Sequence, residues 1–493
     1  MSDLRNFLTP WKNSEKPYVI AQHTLLSYRE LYGTARHNAA VLNRAGIETE
    51  NIALLAGNSC EYIVSYWSIL FSGSTVIPLH VQDTNRELTN HLVFCDCNWL
   101  IYEETYRAAA RELSNNAGTG LVSLGKDFIF TTVKFPTSRK KRANQPDIAI
   151  MLQTSGSTGN PKTVMLNHQN LTANTHSHIQ STQLTKKDTS LIVLPLCFSY
   201  THTSQLLCHT CLGGTLVLYP QPLFFPRLFC DWIERYAITV TSLAPPMLYM
   251  LHQYRRLKKR DINSLRLIYY GSGPIQESIA LNLMTELPTV KFTYSYGLTE
   301  CSPRVTTLPP EKAREKIGSV GKPIPGVNVQ IVDENHQPLP PGKIGELRVK
   351  GKSVTPGYYK NTSETQKSIQ NQWLYTGDLA AIDEDGYIYI LGRKKNIIIS
   401  GGLNISPEEL EQVLTQHPDI KDVIISGEFH PVMGEIPVAL VTLKKTSQLA
   451  LEDIHQFLTG KIAEYKWPKK LIIRDHLEVT NTGKFKRQGR IKN

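Results

Sequence analysis

At 493 residues the chain is too long for one hydrophobic core, which excludes a single small domain and predicts two or more. Its composition, 41% hydrophobic and 20% charged, is that of an ordinary globular protein. The net charge of +11 suits negatively charged partners (nucleotides, coenzyme A, an acidic carrier protein or nucleic acid) and equally suits a basic surface that only keeps the protein in solution.

The eight cysteines are Cys60, Cys95, Cys97, Cys197, Cys208, Cys211, Cys230 and Cys301. The CxC at Cys95 and the CxxC at Cys208 lack a second pair at zinc-ribbon spacing, so all are read as small buried hydrophobes rather than metal ligands. Reduced thiols in a large chain point to the cytoplasm. The start, MSDLRNFLTPWKNSEK, has early charges and no apolar core, unlike a signal peptide. The uncharged stretches 62–81 and 191–226 are broken by Ser, Thr, Gly or Pro. They read as buried pieces of an α/β core, so no transmembrane segment is expected; peripheral membrane contact stays open.

In chain order, residues 26–45 predict an amphipathic helix capped by Ser27, with Glu30 completing a capping box and Gly46 as the stop. A strand at 52–55, a helix at 61–71 and a strand at 75–79 follow. Next come a strand at 99–102, a helix at 105–114 and a strand at 120–124. Strands alternating with helices argue for a parallel sheet with helices on its faces. Residues 134–146, including SRKKR, read as a polar basic linker, and RRLKKR at 255–260 as the cationic end of a helix. A strand at 148–152 and a helix at 167–180 bracket QTSGSTGNPKTVM, residues 153–165. From about residue 320 the Pro/Gly-rich texture predicts antiparallel hairpins, with an Asp385-Gly386 turn. After Gly392 come NIIIS, a helix at 406–416, strands at 423–426 and 438–443, and a helix at 451–463, a unit of about 100 residues.

The stretch 153–165 gathers small and hydroxyl residues around a loop closed by Lys162, a composition that aims N–H groups, hydroxyls and a cation at phosphate. It is not a Walker A loop, because Asn160-Pro161 separates Gly159 from Lys162. Taken alone it also reads as an ordinary Ser/Gly turn. Downstream, Gly271-Ser272-Gly273 follows an apolar strand and permits close approach of a flat base. YSYGLTE at 294–300 offers Tyr296, Thr299 and Glu300, and a carboxylate with phosphate oxygens is the usual cradle for Mg²⁺. YTGDLA at 375–380, GRKKNIIISGG at 392–402 and NTGKFKR at 481–487 complete the series.

These blocks in this order resemble the adenylate-forming superfamily of acyl-CoA synthetases, peptide-synthetase adenylation domains and beetle luciferases. The resemblance spans nearly the whole chain and includes SYREL at 27–31, GNSCEYI at 57–63, GELRVKG at 345–351 and PGYYKN at 356–361. It implies an α/β fold: a large N-terminal adenylation domain of layered α/β subdomains with a small β-barrel-like part (1–392), a hinge (393–395) and a small mobile C-terminal α+β domain (396–493). It also implies roles. Thr154, Ser155, Gly156, Ser157, Thr158, Gly159 and Lys162 would grip the β- and γ-phosphates of ATP. Gly271, Ser272 and Gly273 would face the adenine, with Tyr296 stacked on it. Thr299 would touch the α-phosphate and Glu300 would hold Mg²⁺. Asp378, assisted by Arg393, would bind the ribose. Lys484 would bridge the substrate carboxylate and the α-phosphate. Lys395 would be the hinge, and Gly402 would line the tunnel for a pantetheine arm.

Some residues depart from the family pattern. Thr163 stands where relatives usually have glycine, and Lys395 where many have aspartate. In the acyl-pocket region 194–207, Ser199 replaces the aspartate that pairs with α-amino acids, which disfavours those substrates. Phe198 stands where many relatives carry histidine. With Ser295 these residues suit an uncharged acyl or aryl tail. His202 and His209 read as packed or hydrogen-bonded rather than catalytic. The expected activity is an ATP- and Mg²⁺-dependent acid–thiol ligase for a fatty or aryl acid, with coenzyme A as acceptor. The alternative is a stand-alone ligase that loads an acyl or amino-acyl group onto the phosphopantetheine of an acidic carrier protein. No nucleic-acid partner is expected; a non-catalytic protein using its basic runs for nucleic acid is the reading from another class.

Overall fold

The computed structural model describes residues 3–478, apart from 23, 126, 139–146, 155–161, 222, 274, 397, 401–402, 431–432, 445–447 and 463. The chain divides into two compact units, Met1–Val329 with Val349–Leu374, and Gln330–Arg348 with Tyr375–Asn493.

The first unit holds two large sheets. One has eight strands, in the order Gly357–Tyr358, Lys162–Asn167, Ile148–Thr154, Thr75–Pro78, Asn51–Leu55, Trp99–Glu103, Gly120–Leu124 and Phe130–Lys134. Its centre is parallel, as the alternation of strands and helices predicts, and its flanks are antiparallel. The second has nine strands, with a parallel core running from Lys291–Gly297 through Leu267–Gly271, Val240–Leu243, Thr189–Ile192 and Thr215–Leu218 to Pro17–Ile20. Helix Cys60–Phe71 is buried on nearly every side. Its Ile63, Tyr66 and Trp67 join Ile52 and Val76 of one sheet and Val19 and Leu216 of the other in a single core.

Helix Tyr28–Arg44 starts at the predicted capping box: Ser27 Oγ accepts from the Glu30 N–H, and Glu30 Oε2 accepts from the Ser27 N–H at 2.7 Å. Among the elements that go beyond the expectations are helix Asn85–Phe94, strand Lys162–Asn167, and strand Phe130–Lys134 at the start of the supposed linker. The basic run 255–260 is partly structural, since Arg260 pairs with Asp231 and with Glu234 at 2.9 Å. No described helix is long and apolar enough to cross a membrane.

In the second unit, strand Trp373–Ile382 pairs antiparallel with Ile388–Arg393 across a turn closed by the Gly386 N–H on Asp383 O, 3.0 Å. Gly386 has φ +83°, the left-handed geometry that the predicted Asp-Gly turn supplies. A five-stranded sheet follows, built on the long hairpin Ile420–His430 and Gly434–Leu443, with Lys470–Ile473 and Ile398–Ser400 beside the latter. Helices Pro407–Leu414 and Leu451–Leu458 share its core through Leu410, Leu414, Ile454 and Leu458.

Candidate active site

The loop residues Ser155, Gly156, Ser157, Thr158 and Gly159 lie outside the described residues. Their supports are described. Strands Ile148–Thr154 and Lys162–Asn167 pair antiparallel, with Thr154 opposite Lys162. Thr154 Oγ1 also donates to the Lys162 carbonyl at 3.3 Å. The loop thus connects a hairpin, whereas a Walker loop joins a strand to a helix. Helix His168–Thr182 begins only after the second strand, capped by Asn167.

The Lys162 ammonium pairs with the Glu364 carboxylate and lies 5.0 Å from the ring centroid of Tyr358. The Tyr358 hydroxyl donates to Glu300 Oε1 at 2.9 Å. Burial first, and then the Glu300 charge, push that phenol far up, so it stays protonated and remains a donor. The lysine that closes the loop and the expected Mg²⁺ carboxylate therefore meet on the same tyrosine.

Glu300 sits in the helical turn Thr299–Cys301. Its carbonyl accepts from the Thr355 N–H at 2.8 Å. Asn174, buried on helix His168–Thr182, donates through Nδ2 to Cys301 O (3.0 Å) and to Arg304 O (2.8 Å), and its Oδ1 accepts from the Arg304 N–H (3.2 Å). Asn170, one turn earlier, donates to the carbonyls of Lys352 and Val354, both at 2.8 Å. Neither asparagine was anticipated from sequence. The signal was there: Asn167, Asn170 and Asn174 recur at helical spacing along one face.

On the side expected to face adenine, strand Leu267–Gly271 runs parallel to Lys291–Gly297 with Gly271 opposite Ser295. A Cβ on Gly271 would fall 2.4 Å from Ser295 O, so only glycine fits. Ser272 takes φ +70°, and Tyr294 donates to Gly273 O at 3.0 Å. Tyr270 and Tyr294 stack at 4.8 Å, and Tyr296 is half-buried on the same strand as Tyr294.

The acyl-pocket region forms a helical run: Ser199–Thr201, a π-helical segment His202–Leu207, then Cys208–Leu212. Such widened turns recur at functional sites. Phe198 precedes it, its ring 5.0 Å from that of His80. The hydroxyls of Ser199 and Ser295 are buried without a hydrogen-bond partner. His202 and His209 are fully buried; burial pushes them down to about 3 and about 4, and His209 Nδ1 donates to Gln205 O at 2.9 Å. Both are neutral packed groups.

In the second unit, Asp378 is buried and stands opposite Arg393 in the Trp373–Ile382 hairpin. Arg393 Nε lies 2.6 Å from Asp378 Oδ1, and Arg393 Nη1 donates to Thr376 O at 3.2 Å. The expected ribose pair is thus brought together. Lys395 belongs to the helical turn Lys394–Asn396, while Gly402 and Lys484 lie outside the described residues. The turn and the strand before it are held from helix Pro407–Leu414 and its cap: Ser406 Oγ donates to Leu391 O (2.6 Å) and Asn396 Nδ2 to Glu408 Oε1 (2.8 Å). Gly392 has φ +149°, and a Cβ there would lie 2.5 Å from Glu408 Oε2.

Two large α/β sheets, a hairpin-borne Ser/Gly/Thr loop, and Glu300 linked to the loop lysine through Tyr358 define an adenylate-forming enzyme. The chain belongs to the AMP-binding enzyme family, whose model matches residues 10–359, with the AMP-binding enzyme C-terminal domain at 409–484. It is 30% identical to a feruloyl-CoA synthase from Amycolatopsis sp over 94% of this chain and 92% of that one. It is also 30% identical to the 2-succinylbenzoate–CoA ligase of Oceanobacillus iheyensis, over 94% and 93%. Among solved structures it resembles o-succinylbenzoate CoA synthetase from Bacillus subtilis in complex with its acyl-adenylate intermediate, with TM-score 0.87, 26% identity and coverage of 99% of both chains. The same synthetase in complex with ATP and magnesium ion gives TM-score 0.86, 27% identity and coverage of 97% and 98%.

Proposed function

We propose that this enzyme activates a carboxylic acid, fatty or aryl, as an acyl-adenylate and passes the acyl group to the thiol of coenzyme A. A carboxylate oxygen attacks the α-phosphorus of ATP and pyrophosphate leaves. The thiol sulfur then attacks the acyl carbon, the bond to AMP breaks and the thiol proton is released. The first step concentrates negative charge, so positioning and electrostatics carry most of the catalysis.

In this reading the loop 154–162 grips the leaving pyrophosphate, with Lys162 exchanging Glu364 for phosphate oxygens. Thr299 meets the α-phosphate, Tyr296 and Gly271 to Gly273 hold the base, Asp378 and Arg393 the ribose, and Lys484 the reacting carboxylate. Gly402 lines the pantetheine path. We place the moving boundary at 393–395, within the second compact unit, with Lys395 as the hinge that would let one site serve two half-reactions.

Mg²⁺ suits Glu300. No group of three or more His, Cys, Asp or Glu is placed to hold a metal among the described residues. A single carboxylate fits an ion that takes most of its oxygens from phosphate and water. Bound there, the ion would neutralise phosphate charge. Tyr358 orients the carboxylate for it through one hydrogen bond.

The observation that carries this reading is the Lys162–Tyr358–Glu300 arrangement beside the loop. The test is acid-dependent exchange of labelled pyrophosphate into ATP. Lys162→Ala and Lys484→Ala should each lower it by about 100-fold or more. Unchanged exchange in Lys484→Ala removes the role given to that lysine. Exchange by the wild type that ignores every added acid removes the function.

A further inference from the structure

Resting on that acid-activating reading, we infer that the acyl pocket accepts an acid whose tail bears a second carboxylate, with Arg304 as its counter-ion. Arg304 opens strand Arg304–Thr307, four residues after Glu300. It is 2% exposed, and its Nε, Nη1 and Nη2 all lack a hydrogen-bond partner. Arg266 makes the contrast: it is more exposed, yet it meets Asp188 through Nε (2.8 Å) and Nη2 (2.7 Å).

What does face the guanidinium is neutral. Its Cζ lies 5.1 Å from the ring centroid of Tyr200. Burial raises that phenol, which Arg304 only partly offsets, so the hydroxyl is no counter-ion. His178 feels the same cation; burial first, and then Arg304, push it well below the ordinary histidine value. A guanidinium does not shed its proton to escape burial, and beyond the neutral Tyr200 hydroxyl, with which it interacts, its donors meet no acceptor and its charge no counter-charge. An isolated buried charge is among the costliest features a fold can carry, and a ring face compensates for a fraction of it.

The side chain is also placed with care. Asn174 grips the Arg304 backbone at both N–H and C=O and holds Cys301 with the same amide, so the cation is rigidly tied to the Glu300 turn. Opposite Arg304 stands Gly297, where a Cβ would come 3.2 Å from Arg304 Cα and 2.2 Å from Pro303 O. Ser295 and Thr307 face each other across the same two strands, and both hydroxyls are buried and unpartnered, as is that of Ser199 beside Tyr200. Polar groups without partners thus gather where an apolar lining was expected for an uncharged tail. A carboxylate accepts two parallel bonds from one guanidinium. An alkyl tail satisfies none of these donors, and an ammonium is repelled.

The experiment measures kcat/KM for AMP release by the full chain with ATP, Mg²⁺ and coenzyme A. The acids are matched sets, straight-chain and aryl: the monoacid, the diacid of equal length and its half-amide. The best diacid should exceed its half-amide by about 100-fold, and Arg304→Met should shrink that ratio by about the same factor. Half-amides or monoacids that match or beat every diacid overturn the inference and leave acid activation standing. An equal loss for diacids and monoacids in Arg304→Met also overturns it, because Arg304 would then serve the reacting carboxylate. No turnover with any acid removes the acid-activating reading and the inference together. If Arg304→Met does not fold, thermal shifts of the wild type decide: the diacid should raise Tm clearly more than its half-amide, and equal shifts count against the proposal.

Discussion

Thr163 is the residue beside the phosphate loop that the family pattern leaves unexplained, and its surroundings explain it. It is 2% exposed, its hydroxyl lies 3.9 Å from Cys95 Sγ, and its carbonyl accepts from the Tyr359 N–H at 2.8 Å. The side chain fills core space on a strand, so glycine there leaves a void and a floppier strand. Thr163→Gly should cost about 1–3 kcal/mol, read as a lower denaturant midpoint. Tyr358 carries a different load. Tyr358→Phe keeps the ring beneath Lys162 and removes only the bond to Glu300. Half-saturation by Mg²⁺ in pyrophosphate exchange should rise by about 10- to 100-fold, the usual effect of losing a group that orients a ligand. An unchanged Mg²⁺ dependence would separate Glu300 from the metal. Glu300, Asp378 and Lys162 were singled out as candidates because each belongs to a local motif. Arg304, Asn174 and Tyr358 were harder to find, because their partners lie 50 or more positions away or are missing.

Short polar motifs do more structural work than their length suggests. In GYYKN, Tyr358 reaches Glu300, Tyr359 donates to Asp96 at 2.8 Å and Lys360 pairs with Asp96 at 2.7 Å. Asn361 then caps helix Thr362–Ser368, which supplies Glu364 to Lys162. Four successive residues so tie the loop strand, the Glu300 turn and the first sheet together. Elements with strong end signals were legible: Ser27 and Glu30 gave the first helix its start. Helix Asn85–Phe94 has an equally good box, Thr84 with Glu87, but presents only Leu88, His91 and Leu92 to the core, so its apolar periodicity is faint. Strand Lys162–Asn167 was hidden because its apolar centre is short and polar at both ends. At the expected hinge, Ser406 both caps helix Pro407–Leu414 and holds the Leu391 carbonyl. Ser406→Ala should cost about 1 kcal/mol locally, seen as roughly fivefold faster amide exchange at Arg393 to Asn396. Exchange unchanged there would mean the clamp carries no stability.

For the molecule as a whole, acid sensitivity is set by histidines as well as carboxylates. Burial depresses His91 and His209 to about 4 and His202 to about 3, and pushes His178 well down too. Each takes up a proton in the unfolded chain, near pH 6.5, before it does so in the native one. Their contribution is therefore complete above about pH 6.5 and drains away as the pH falls toward 4, by up to about 1.4 kcal/mol per pH unit each. Asp188 acts lower. Burial raises its carboxyl, but Arg266, the Thr185 N–H and Thr239 outweigh burial and hold it at about 2, so its share is lost only between about pH 4 and 2. Calorimetry should show Tm falling already between pH 6.5 and 5; a flat Tm in that window would contradict the buried neutral histidines.

The two units are not consecutive along the chain, and this has a bearing on biosynthesis. The backbone enters the second unit at Gln330, returns to the first at Val349 and leaves it again after Leu374. Within the second unit, Gly342 N–H finds its acceptor on Ile382 and Leu347 O its donor on Thr376. On a ribosome adding roughly 5–20 residues per second, residues 330–348 emerge and then wait some seconds for those partners. Meanwhile Val349–Leu374 completes the other unit. A nascent chain halted just after residue 350 has left the ribosome would expose an unpaired strand edge, the point at which a chaperone has most to protect.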